Sequence, residues 1–74
     1  MERLTKILVS VFKIQVSESN KNLGMDEVAS WDSLTHMDLI VEVENEFEIQ
    51  LTGDNIADMI SFDAIRKIVK EHIG

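Results

Sequence analysis

The chain has 74 residues, no Cys, and a formal net charge of −7 from 7 basic and 14 acidic side chains. No disulfide or thiolate zinc site can brace so small a chain, which leaves packed helices as the expected source of stability. Its acidic field repels a nucleic-acid backbone and an anionic membrane surface, and favours basic protein partners.

Leu4, Ile7, Leu8, Val11 and Phe12 recur at helical spacing, so the pattern predicts a one-faced amphipathic helix over 2–16. Its β-branched residues Ile7, Val9, Val11, Ile14 and Val16 lower intrinsic propensity, and packing must stabilise it. The apolar run 7–12 is short, is followed by Lys13 and lacks a small-residue cleavage site, which argues against a signal peptide. No stretch approaches the ~18 apolar residues of a membrane span, and a soluble, cytoplasmic protein is expected. Residues 17–31, with Ser17, Ser19, Asn20, Asn22 and Gly24, read as a long connection pinned by Leu23, Met25, Val28 and Trp31.

A second helix is expected from Ser33 to about Glu48, with Asp32 or Ser33 as its cap. Residues 49–51 look extended, and Thr52-Gly53-Asp54 turns the chain. Residues 54–59 make one short helical turn with Ile56 and Met59 facing in. Ser61 caps a last helix over 62–73, whose apolar face carries Phe62, Ile65, Ile68, Val69 and Ile73. The expected fold is all-α: one small domain, 1–74, of three main helices plus a short one, with a long first loop.

The second helix has two apolar faces. With Leu39 at zero, Val43 falls near ~40°, Phe47 near ~80° and Ile40 near ~100°, an arc for the core. Met37 near ~160°, Val41 near ~200° and Leu34 near ~220° form a second arc. Glu44 near ~140°, Glu48 near ~180° and Asp38 near ~260° border it. An apolar strip rimmed by acids is the expected form of a partner-binding surface, here Leu34, Met37, Asp38, Val41, Glu44 and Glu48. The alternative is a strip covered by Met25, Val28 or Trp31 from the loop.

Asp32-Ser33-Leu34 opens this helix. Taken alone it reads as a helix cap. A helix N-terminus also carries partial positive charge and free N–H groups, which suit a phosphodiester. The run Trp31-Asp32-Ser33-Leu34-Thr35-His36-Met37-Asp38-Leu39-Ile40, followed by Glu44-Asn45-Glu46-Phe47, resembles the acyl carrier protein family, and the resemblance extends over nearly the whole chain. It implies an acyl-carrier-like bundle and a covalent 4′-phosphopantetheine on Ser33, flanked by Asp32 and Leu34. It further implies that a phosphopantetheinyl transferase installs the arm from coenzyme A. Acyl groups would ride on the arm as thioesters, delivered to acyl-processing enzymes with basic patches in fatty-acid, polyketide or specialised-metabolite synthesis. The chain itself would be a monomer and not an enzyme. Asp38 and Glu44 match the family's acidic recognition positions, and Met37 and Val41 its exposed apolar ones; Glu48 comes from the helical wheel alone. Two departures stand out: Ser30-Trp31 replaces a common Gly-x, and Thr35 occupies an acidic position. The Trp form resembles stand-alone carriers of specialised pathways. A peptidyl or aminoacyl carrier, which usually shows paired Gly before the Ser, and a non-covalent acidic helical adaptor are the alternatives.

Ser33 and His36 are three apart, yet a hydrolase needs a pocket and an oxyanion hole for which this chain has little room. His36 falls near ~60°, in the core arc, and reads as a hydrogen-bonded, partly buried side chain. His72 reads as a favourable partner of the last helix's dipole. Two isolated His supply no metal-ligand spacing, and the acids of 42–48 lack the turn Gly of a calcium loop. Met1, Met25 and Met59 read as core filler, Met37 as an interface residue.

Overall fold

A computed structural model describes residues 2–73. Among these the chain forms five helices: α1 (Glu2–Phe12), α2 (Val16–Ser19), α3 (Ser33–Phe47), α4 (Gly53–Asp58) and α5 (Phe62–Ile73). The fold is a small all-α bundle, as the periodicity predicts; its only strand-like pairing among the described residues is an antiparallel bridge between Gly24 and Ser61. Met1 and Gly74 lie outside the described residues.

The first helix is shorter than its apolar spacing suggests. Lys13 adopts the left-handed conformation, φ 54°. The Ile14 N–H then reaches back to Val9 O at 3.3 Å, closing α1 by the Schellman pattern. The chain turns and starts α2, one turn long, inside what reads as loop. Ser19 is fully buried there, and its hydroxyl donates to Val16 O at 2.6 Å. Arg66 of α5 donates to Ser19 O and pairs with Asp63 at 2.9 Å, tying α2 to α5.

The core joins Leu4, Ile7, Leu8 and Phe12 of α1 to Leu39, Ile40 and Val43 of α3, and to Phe62, Ile65, Ile68 and Val69 of α5. Val28, Trp31, Leu51 and Met59 complete it from the connections, with Leu23 and Ile56 packed at its edge. Two expected core residues lie elsewhere: Met25 is exposed, and Ile73, at the end of α5, is half-exposed. The Met25 backbone N–H bonds to Ile60 O at 3.1 Å beside the Gly24–Ser61 bridge, and its side chain stays at the surface.

α1 and α3 run antiparallel. Arg3, near the start of α1, pairs with Glu46 near the end of α3 at 2.7 Å, and its guanidinium lies 4.9 Å over the Phe47 ring. At the other end Phe12 meets Trp31, centroids 4.6 Å apart, two residues before α3 begins. α4 begins one residue earlier than the sequence suggests. Thr52 caps it through Asn55 N at 3.1 Å while Asn55 Oδ1 accepts from Thr52 N at 3.2 Å, so Gly53 is helical rather than part of a turn. Ser61 caps α5 as expected, through Ala64 N at 3.2 Å. His72 is exposed and bonds to Asn55 Oδ1 at 2.9 Å, a side-chain link from α5 to α4 beyond any dipole contact.

Candidate functional site

The start of α3 decides between Asp32 and Ser33 as cap. Asp32 is extended, φ −126°, ψ −173°, and its carboxylate accepts from Thr35 N at 2.8 Å and from the Thr35 hydroxyl at 2.9 Å. Those bonds, the backbone one first, hold the Asp32 carboxyl below its ordinary range. Ser33 is therefore the first fully helical residue. It is exposed, and among the described residues its hydroxyl makes no hydrogen bond. Thr35, standing where the resembled family has an acid, works in the cap instead.

Both sides of Ser33 are anchored. Upstream, the Ser30 hydroxyl donates to Phe12 O at 2.8 Å, a bond that glycine at this position would not make. Trp31 is buried, with its N–H bonded to Val28 O at 3.0 Å and its ring 5.8 Å from that of Phe62. Downstream, His36 stacks on Trp31 at 6.1 Å and accepts at Nδ1 from the indole N–H at 3.0 Å. Since Nδ1 accepts, Nε2 carries the hydrogen and donates to Ile56 O at 2.9 Å. One imidazole thus ties the loop, α3 and α4 together. Both ring nitrogens are engaged, which leaves neither for Ser33.

The two arcs of α3 separate as the wheel predicts. Leu39, Ile40 and Val43 are buried, while Leu34, Met37 and Val41 are 78%, 51% and 50% exposed. Val28 and Trp31 pack into the core and do not cover the strip.

The acidic rim differs from expectation at two of three positions. Asp38 is exposed, as expected. Glu44 is half-buried, and its carboxylate turns away from the strip to accept from Leu51 N at 2.9 Å, closing the α3–α4 connection. Glu48 lies past the helix end in the left-handed conformation, φ 54°, where its N–H bonds to Glu44 O. The wheel position assigned to Glu48 assumes a helix that has already stopped. Glu42 was missed: it is exposed and lies four residues after Asp38, hence on the same side of α3. That i, i+4 spacing was the available signal.

The site can offer an accessible hydroxyl on a rigidly held helix start, followed by an exposed apolar strip with Asp38 and Glu42 along one side. A phosphodiester on Ser33 Oγ fits it: the hydroxyl is unbonded, and the helix dipole favours an anion there. No described helix is long and apolar enough to cross a membrane. No family model matches the sequence.

Proposed function

We propose that the chain is an acyl carrier protein, modified on Ser33 with 4′-phosphopantetheine. One observation carries the reading: Asp32 takes the capping role, so the Ser33 hydroxyl is left exposed and unbonded at a helix start anchored on both sides. The resemblance around Asp32-Ser33-Leu34 supports it from the sequence.

A phosphopantetheinyl transferase acts on this hydroxyl. Ser33 Oγ bonds to the phosphorus of the pantetheine phosphate, the nucleotide bisphosphate of coenzyme A leaves, and the hydroxyl proton passes to the transferase. When attached, the arm supplies a thiol that this Cys-free chain lacks, and holds acyl groups as thioesters. The residues of the chain position and present. Trp31, Thr35 and His36 hold the helix start. Leu34, Met37 and Val41 offer apolar contact, and Asp38 and Glu42 steer basic patches of partner enzymes. The chain delivers cargo to cytoplasmic synthesis of the fatty-acid, polyketide or specialised-metabolite class. A tethered cargo reaches successive active sites at high effective concentration.

The test is incubation with coenzyme A and a broad-specificity phosphopantetheinyl transferase, read by intact mass. Wild type is expected to gain the mass of one arm and Ser33→Ala to gain nothing. A folded wild-type protein that stays unmodified overturns the proposal. The adaptor alternative rests on the same strip, and in that case Ser33→Ala leaves partner binding unchanged.

A further inference from the structure

His36 reaches back across Ser33 twice. Its backbone N–H donates to Asp32 O at 2.8 Å, which closes the first turn of α3. Its Nδ1 accepts from the Trp31 indole at 3.0 Å. Ser33 therefore lies inside a turn that His36 holds from the main chain and from the side chain. First turns fray easily, because their N–H groups lack intrahelical partners. A hydroxyl that attacks from such a turn depends on how firmly the turn is fixed, since a displacement of ~1 Å can cost ~100-fold in rate.

The third contact of His36 leaves α3. Nε2 donates to Ile56 O at 2.9 Å, in the last turn of α4. That carbonyl also accepts a long bond from Met59 N at 3.3 Å, and the imidazole takes its second lone pair.

α4 is poorly equipped to hold itself. It has six residues, well short of the length at which a helix is stable alone, and none of them is buried. The Thr52–Asn55 capping box secures its start, Ile56 packs at the edge of the core, and the exposed His72 meets Asn55 Oδ1 at 2.9 Å. Such a helix is readily displaced, and His36 stands between it and the turn that carries Ser33.

We propose that His36 is a positioning residue for the modification of Ser33 and the link through which α4 governs it, an inference that rests on the carrier reading. With α4 seated, the imidazole is held at both nitrogens and Trp31 is fixed against Phe12 and Phe62. The turn then presents Ser33 in one orientation. With α4 displaced, the imidazole loses its outer partner and the turn loosens.

The experiment combines variants at the two ends of this link. His36→Phe keeps a ring against Trp31 and loses both bonds. Thr52→Ala unties the start of α4, one turn before Ile56. Ile68→Val, at a buried position of α5, lowers stability and leaves the link intact. Amide hydrogen exchange at positions 35 and 36 is measured below every melting point. So are kcat and KM for arm transfer from coenzyme A by a broad-specificity phosphopantetheinyl transferase. His36→Phe is expected to speed both exchanges and to lower kcat about tenfold, with KM for the chain within about twofold of wild type. Thr52→Ala is expected to move both readouts the same way, about threefold, and to add nothing in the His36→Phe background. Ile68→Val is expected to move neither. If the Phe variant does not fold, His36→Asn replaces it: its amide oxygen still accepts from the indole, its side chain stops short of Ile56 O, and it is likewise expected to be insensitive to Thr52→Ala. Effects of positions 36 and 52 that simply multiply, an equal effect of Ile68→Val, or wild-type kcat in the His36 variants overturns the proposal and leaves the carrier reading standing. A folded wild type that stays unmodified overturns both.

Discussion

α3 and α5 draw on the same kinds of residue and deploy them differently. α5 places Phe62, Ile65, Ile68 and Val69 on one face and buries all four. α3 buries Leu39, Ile40 and Val43 and leaves Leu34, Met37 and Val41 in solvent. Apart from Ile73 at its end, α5 spends its large apolar side chains on the core. α3 is scaffold on one side and presentation surface on the other. Burial cannot account for its outer strip, so that strip is where function is to be sought.

Two leucines of α3 break the comparison most sharply. Leu39 is fully buried and Leu34 is 78% exposed. Leu39→Ala is expected to cost about 3 kcal/mol, a large part of the ~5 kcal/mol that holds a small domain, whereas Leu34→Ala stays within about 0.5 kcal/mol. Denaturant titration measures both. Equal losses would mean that the outer strip is core.

The acids divide likewise. Glu44→Lys removes the acceptor of Leu51 N and is expected to cost about 1 kcal/mol as well as weakening a basic partner. Asp38→Lys is expected to weaken partner association more strongly while leaving the melting temperature unchanged. Thermal melts, paired with association rates at two ionic strengths, separate the roles.

The cap can be sharpened with pH. Asp32 is held below its ordinary pKa of 3.8 by Thr35, so its carboxylate stabilises the fold above that value. The contribution is lost as pH falls through the depressed folded-state pKa. Asp32→Ala is accordingly expected to melt below wild type at neutral pH, and the gap should close on the acid side of 3.8. A gap independent of pH would remove the carboxylate from the explanation. The smallest effect is expected at Glu48, whose left-handed backbone suits glycine. Glu48→Gly should gain about 0.5 kcal/mol, the relief of strain exceeding the added chain entropy. A loss of stability there would show that the Glu48 side chain does more than its backbone.

Much of the architecture was written in local pattern. Apolar spacing marks α1, α3 and α5, and Ser61 marks the start of α5; the start of α3 is narrowed only to Asp32 or Ser33, and Thr52, the cap of α4, reads as part of a turn. The two faces of α3 followed from its period, because a helix projects each side chain at a known angle. What local pattern lacked was any account of connections. Residues 17–31 have no periodicity, so nothing in their order says that Val28 and Trp31 turn inward while Met25 stays outside. The short α2 is held by Arg66, far along the chain, and the Trp31–His36–Ile56 link joins three segments that only packing brings together.

By itself the sequence determined an all-α bundle, a helix with two apolar faces, and Ser33 as the residue to suspect. Tertiary structure decided how that residue is presented. It gave the capping role to Asp32 and freed the Ser33 hydroxyl. It drew Glu44 off the acidic rim to close a loop, and ended α3 before Glu48. The two side chains share one physical reason: a polar side chain near a helix end goes to whichever backbone N–H lies within reach, and the folded path of the chain sets that reach. The third is a backbone matter, the left-handed Glu48 closing α3 through its own N–H.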